Sequence, residues 1–265
     1  MHRRVLLLCT SVCAAALLAP AAASANLRGA RLRIRPDHAT APSGARATSA
    51  TTEYSTNWSG YVAQSAKKFK TVSTTYVQPA VTCTKNEALA AFWDGLDGYE
   101  ERSETVEQDG TLAYCNGKTP EYAAWWEMYP TNDVQPTFDV APGNTITASV
   151  TFAQRNFTMT VRDVTTGASY TSVQRCGKGS KCLRSSAEWI VERPSYETGL
   201  AYLPDWGTLT LGSDSASTSK KVLAISSFTN TALDMVNEAG TKLLATVGPL
   251  GSGGSSFSDT WDAAE

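Results

Sequence analysis

Histidine is almost missing from this 265-residue chain: there are two, His2 and His38, and none follows residue 38. Hydrolysis of the Ser-His-Asp and Cys-His kinds needs an imidazole base, and hydrolytic zinc centres draw on histidine ligands. The long remainder of the chain is closed to both. No GxSxG elbow and no phosphate-cradling glycine loop offers another route. Any catalysis here falls to carboxylates, amides, tyrosines or lysines.

Long apolar runs are lacking too. The main one, Val5 to Leu18, follows His2, Arg3 and Arg4 and gives way to the small residues Ala23, Ser24 and Ala25. It falls short of the roughly 20 residues a membrane span needs and has the layout of a secretory signal peptide. Residues 1–25 are expected to be removed, leaving a secreted, extracellular protein with no membrane partner. Cysteine is scarce, with six in all, of which Cys9 and Cys13 leave with the signal. Cys83, Cys115, Cys176 and Cys182 then remain in an oxidising compartment, where three pairings are open. The short Gly177-Lys178-Gly179 stretch favours a Cys176–Cys182 bridge and leaves Cys83 for Cys115. A zinc site competes with that reading, against the missing histidines and the wide cysteine spacing.

Residues 26–53 are poor in core-forming residues and basic, with Arg28, Arg31, Arg33, Arg35 and Arg46 against Asp37 and Glu53. Such a segment does not fold alone. The body, residues 54–265, carries 16 lysines and arginines against 23 aspartates and glutamates, a net charge of −7. A basic leader beside an acidic body fits a propeptide held by charge and released at low pH, or a disordered linker. No basic patch with interleaved aromatics points to nucleic acid.

The body suits one all-β domain. Ile146, Ala148, Val150 and Phe152 alternate with Thr145, Thr147, Ser149 and Thr151, the period of a half-buried strand. Phe157, Met159 and Val161 repeat it, and Thr165-Thr166-Gly167 supplies a turn before Tyr170. Leu209–Leu211, Val222–Phe228 and Leu233–Val236 read as further strands, with Asn237–Gly240 turning the chain into Lys242–Val247. A helix is suggested weakly at Glu87–Ala91, and Gly251–Ser256 reads as a loop before a last strand through Trp261 or as a frayed tail. Many short strands between turns predict an antiparallel β-sandwich or barrel.

Among the acidic residues Asp94, Asp97, Glu104, Glu107, Glu127, Glu188 and Glu192, Glu188 stands out. In the run Ala187-Glu188-Trp189-Ile190-Val191, strand alternation puts it beside Ile190 and opposite Trp189 and Val191. A carboxylate on an apolar strand face is costly without partners or a job. Trp58, Trp93, Tyr122, Trp125, Trp126 and Tyr129 all precede residue 130; they fill a core or line a groove for a polymer.

Four stretches resemble the glutamic peptidases, or eqolisins: Asn57-Trp58-Ser59-Gly60, Phe92-Trp93-Asp94-Gly95-Leu96-Asp97-Gly98, Tyr122-Ala123-Ala124-Trp125-Trp126-Glu127-Met128-Tyr129-Pro130, and Ala187-Glu188-Trp189-Ile190-Val191-Glu192. They occur in the family's order, as in a secreted bacterial member. The resemblance implies a sandwich of two large antiparallel sheets, of the concanavalin A or jelly-roll kind, with a substrate cleft on one of them. It puts the catalytic pair on Gln108 and Glu188, and cleft-lining positions on Trp58, Trp93, Asp97, Trp125, Glu127 and Tyr129. It further implies an acid endopeptidase acting on polypeptides with no metal and no other cofactor; a monomer is the default expectation. Ala123 departs from the fungal aspartate, and the acidic residue that the family usually carries shortly after its glutamine has no clear match near Leu112, which leaves subsite preference and pH optimum open. A glutamate of ordinary pKa, about 4.3, is half ionised in acid, so a low working pH is expected. The competing expectations are a carbohydrate-binding or carbohydrate-cleaving sandwich with Glu127 and Glu188 as acid and base, and an inactive peptide-binding relative.

Overall fold

The structure is a computed structural model that describes residues 38–39, 52–196 and 199–265. The expected signal peptide and nearly all of the leader lie outside the described residues. The strands are β1 (His38–Ala39), β2 (Thr52–Ser55), β3 (Trp58–Gln64), β4 (Thr71–Val77), β5 (Leu89–Leu96), β6 (Val106–Asn116), β7 (Thr119–Tyr129), β8 (Gln135–Asp139), β9 (Thr145–Ala153), β10 (Asn156–Asp163), β11 (Ser169–Gln174), β12 (Ser186–Glu192), β13 (Ser195–Tyr196), β14 (Gly199–Leu200), β15 (Thr208–Ser217), β16 (Leu223–Ala224), β17 (Thr229–Val236), β18 (Leu243–Val247) and β19 (Ser256–Trp261). No α-helix occurs among the described residues.

The pairings trace two layers. One runs β1-β2-β17-β3-β12-β5-β6-β7-β8, antiparallel except where β2 lies parallel to β17. The other runs β18-β19-β15-β4-β9-β10-β11, all antiparallel. They join where β18 also pairs with the end of β17. The expected all-β sandwich of two large sheets is thus the fold.

Alternation dictates how the layers stack. In β9, Ile146, Ala148 and Val150 turn inward while Thr145, Thr147 and Ser149 stay partly exposed, so the second sheet keeps one wet face. The first sheet does not. Tyr61, Phe92 and Trp189 face Val72, Tyr76, Ile146, Phe157 and Leu211 of the second sheet in the main core. On its other face Trp58, Val62, Trp93, Leu112, Trp125 and Ile190 form a second apolar cluster. All eight residues of β5 are therefore buried, and a sequence so buried shows no period of two. Each large side chain fully buried in this way stabilises the fold by about 1.5–3 kcal/mol. Hydrogen bonds also cross between the layers, from Tyr76 Oη to the Phe92 carbonyl at 3.0 Å and from Trp189 Nε1 to the Ser73 carbonyl at 2.9 Å.

Two local expectations fail. Residues 87–91 are not helical: Glu87 turns in the left-handed region at φ 60° and β5 begins at Leu89. The run of small residues looks helical, but Ala90 and Ala91 are packed against different faces of one sheet. Val222–Phe228 is not one strand either. It is a two-residue bridge followed by a 3₁₀ turn over Ile225–Ser227, whose Ser226 N–H is held by the Gly254 carbonyl. The turn at Asn237–Gly240 forms as expected, with Asn237 Oδ1 accepting from the N–H groups of Thr241 and Lys242. Residues 256–261 are the last strand. Both expected disulfides form, Cys83–Cys115 with 5.7 Å between Cα atoms and Cys176–Cys182 with 5.9 Å.

Candidate active site

Register brings the chemistry together on the outer face of the first sheet. Glu188 of β12 stands opposite Gly95 of β5, Gly95 opposite Gln108 of β6, and Gln108 opposite Glu127 of β7. Residues opposite one another share a face, so these four make one row across four strands. With strands about 4.8 Å apart, Glu188 and Gln108 are about 10 Å apart at the backbone. Gly95 lets the packing close in that interval: a Cβ there would lie 2.9 Å from Trp93 Cζ3 and 3.3 Å from Gln108 Cβ. The strands approach closely on the other side too, since a Cβ on Gly60 would fall 2.0 Å from the Trp189 carbonyl oxygen.

Gln108 Nε2 donates to Glu127 Oε2 at 2.7 Å. An ionised carboxylate only accepts, which orients the amide with its nitrogen toward Glu127. Gln108 Oε1 and both carboxylate oxygens of Glu188 are buried with no hydrogen-bond partner. Buried polar groups left in this state are rare and mark places where a ligand completes the bonding. Trp93 Nε1 donates to Glu192 Oε2 at 3.1 Å, and Trp58 packs edge-on against Trp93 with ring centroids 5.1 Å apart. The indole N–H groups of Trp58 and Trp125 are buried and unpartnered. Tyr129 packs against the same apolar cluster at the end of the face.

Burial pushes the Glu188 carboxyl well above the usual carboxylate range; Ser186 pulls it back, and Asp97, Glu107 and Asp94 push it further up. Ser186 makes no hydrogen bond of normal geometry to it. The shift runs upward from the ordinary value expected of this glutamate, because the carboxyl is fully desolvated.

Asp97 does not join the row. It lies just past β5 in the left-handed region, φ 71°, and accepts hydrogen bonds from the backbone N–H groups of Arg184 and Ser185 and from Ser185 Oγ. It braces the chain where it enters the strand carrying Glu188, just beyond the Cys176–Cys182 bridge. Glu192, a candidate acid with no assigned role in the sequence, anchors Trp93, and Gly95 was missed. Only its place between Trp93 and Gln108 in the sheet reveals its part. Among the described residues no group of three His, Cys, Asp or Glu is placed to hold a metal ion, and no helix is long and apolar enough to cross a membrane.

The fold and site define a double-sheet sandwich with an acid–amide centre on the outer face of its first sheet. The chain belongs to the Peptidase A4 family, whose model matches residues 56–256; this is the glutamic peptidase, or eqolisin, family that the four stretches resemble. It is 27% identical over 183 residues to aspergillopepsin-2 of Aspergillus niger, a match covering 60% of this chain and 63% of that protein. Two solved structures share the fold. Scytalido-glutamic peptidase with a transition state analog inhibitor superposes with TM-score 0.66 at 19% identity, covering 78% of this chain and 98% of that one. Aspergilloglutamic peptidase from Aspergillus niger gives 0.58 at 23% identity, covering 66% and 100%.

Proposed function

We propose that the chain is a secreted acid endopeptidase in which Glu188 and Gln108 hydrolyse peptide bonds with a water molecule. The observation that carries this reading is the row Glu188–Gly95–Gln108, with unpartnered oxygens on both sides of a residue that has no side chain. A polypeptide laid across Gly95 puts its carbonyl between the two. With water and substrate in the site to relieve its desolvation, Glu188 ionises, takes a proton from the attacking water and passes it to the departing amine. Gln108 turns its second N–H to the oxyanion, while Glu127 holds the first; removing one such donor costs about a hundred- to a thousandfold in rate. The bond broken is the amide C–N, and water supplies the hydroxyl and the proton, so no covalent intermediate is required.

Family membership, together with the peptide based transition state analog and the tripeptide named for related structures, supports polypeptide substrates. Trp58, Trp93, Trp125 and Tyr129 line the face on which the substrate would lie. The two disulfides agree with an extracellular destination, reached by removal of residues 1–25. The leader to residue 53 acts as a propeptide. Pairing of His38–Ala39 with Tyr54–Ser55 supports that role. The carbohydrate reading is disfavoured because Glu127 is committed to Gln108 and stands three strands from Glu188, about 14 Å at the backbone.

The test is digestion of acid-denatured casein between about pH 2 and pH 7, comparing the processed wild type with Glu188→Gln, each with pepstatin and with a chelator. An activity that both reagents leave intact and that the substitution abolishes is the expected result. Proteolysis that survives Glu188→Gln would overturn the assignment, and a correctly processed but inactive wild type would leave an inactive peptide-binding protein.

A further inference from the structure

Directly behind the catalytic row, on the inner face of the same sheet, sits a second pair of acids that the mechanism does not use. Asp94 of β5 and Asp109 of β6 stand opposite one another in register. Asp94 is the neighbour of Gly95, and Asp109 the neighbour of Gln108. Side chains at such opposed positions have their Cβ atoms about 4.5–5.5 Å apart, and like charges there repel. Both residues are fully buried between the two sheets. No donor makes a hydrogen bond of normal geometry to any of their four carboxyl oxygens.

Among the described residues the surroundings supply no compensating cation. Tyr76 faces the pair from β4 and Asp214 from β15, and Glu188 lies on the far side of the sheet. The backbone amides of Ser149 on β9 and Thr160 on β10 lie near Asp109, and Asp94 has its own peptide N–H. Along the same face Glu107 and Asp97 add acids, and the guanidinium that serves them, Arg184, donates to the Phe69 carbonyl and stacks on Phe152. Across β6, the residue opposite Asp109 is Trp126. Two ionised carboxylates cannot occupy such a site together. One proton between them removes a charge and creates an O–H···O bond, the one strong hydrogen bond the two groups can make with each other.

We propose that Asp94 and Asp109 share a proton across β5 and β6, and that the strands bearing Gly95 and Gln108 keep their native packing only while that proton is held. The two aspartates are positioning residues with no access to substrate. Their effect is an acid requirement built into the fold itself, separate from the protonation state that Glu188 needs for chemistry. Burial raises Asp94 to about 7, with Asp109 and its own peptide N–H pulling the other way, and burial together with the Asp94 carboxyl pushes Asp109 well above its ordinary value. The folded chain thus binds more protons than the unfolded one above about pH 4, so the stabilisation is complete below that and is lost as pH rises toward 7. Only the consequence for activity rests on the peptidase reading.

The test is the thermal midpoint of the full chain, followed between about pH 4 and pH 8, for the wild type, Asp94→Asn, Asp109→Asn and a double replacement of both by valine. An amide gives the same bond to the remaining carboxyl without a shared proton, and valine suits a buried strand position. The wild type is expected to lose its midpoint steeply with rising pH, and the replacements to lose at most half as many degrees. An unchanged pH dependence in the single variants overturns the proposal. So does failure of all three to fold at acid pH, since that would show the pair serving some purpose other than holding a proton. The readout needs no proteolysis, so an inactive enzyme and a wrong inference about the pair remain distinguishable.

Discussion

Glu127 Oε2 accepts a 2.7 Å hydrogen bond from Gln108 Nε2, so the amide that would meet the oxyanion is oriented by a carboxylate one strand away. A glutamine on its own can present either its oxygen or its nitrogen to the substrate, and only the nitrogen stabilises a developing anion. Glu127 was expected to line the cleft; the contact observed is with the Gln108 amide.

Replacing Glu127 by glutamine lets both amides turn over and removes the bias. We expect kcat to fall about tenfold and KM to change little, because the loss is felt in the transition state. Glu127→Leu should approach the hundred- to thousandfold cost of losing an oxyanion donor. Steady-state kinetics on a soluble peptide at acid pH decide the matter; a rise in KM at constant kcat would assign Glu127 to substrate binding instead.

Gly95→Ala places a methyl group against Trp93 Cζ3, the Glu107 carbonyl oxygen at 3.2 Å and Gln108 Cβ. The sheet must give by a few tenths of an ångström, at a stability cost of about 1–3 kcal/mol. The catalytic cost should be larger, because the methyl group displaces Gln108 in the row: kcat/KM is expected to fall by about a hundredfold. Circular dichroism melting alongside the assay separates the two, and a variant with wild-type kcat/KM would show that the interval over Gly95 is not where the substrate lies.

The catalytic face was legible in the sequence wherever a polar residue interrupts apolar neighbours in a strand. Glu188 is the clear case, flanked by Ala187 and Trp189 with Ile190 on its own side. Gln108 was legible only through family resemblance, because β6 buries both faces and Val106-Glu107-Gln108-Asp109 shows no alternation. The sandwich could be read from half-buried strands such as β9, whereas β5 disguised itself, its small residues packed on two faces at once. The hydrogen bonds that Asp97 accepts from Arg184 and Ser185 were not legible, because those residues are far from it in sequence and only the fold brings them to its carboxylate.

Asp97 is therefore expected to matter for stability first. Asp97→Ala leaves the buried Ser185 N–H and the Arg184 N–H without their acceptor, a loss of about 1–3 kcal/mol for each group left unsatisfied in the interior. Asp97→Asn, which keeps one acceptor oxygen, should recover part of it. Urea unfolding measures the ranking, wild type above Asn above Ala; equal stability of all three with a raised KM would return Asp97 to the cleft.

A separate acid on the far side of the sandwich sets a second pH dependence. Asp259 in β19 is fully buried, with neither carboxyl oxygen hydrogen-bonded, and burial pushes it up to about 8, with Ser59 and Trp206 pulling the other way and Asp234 and Asp262 adding to the rise. Asp234, itself raised to about 6 by burial, accepts from the Val247 N–H. In the unfolded chain both titrate near 3.9. Between that value and about 8 the folded chain holds the extra protons, so stability present in acid drains away as pH rises through this window. Asp259→Asn removes the titrating group while keeping its shape, and should flatten the upper part of the curve, between about pH 6 and pH 8, with little change at pH 4. Denaturant midpoints at those three pH values are sufficient. If Asp259→Asn loses as much stability on going to pH 8 as the wild type does, Asp259 is already ionised in the native protein and its charge is met by water that reaches the site.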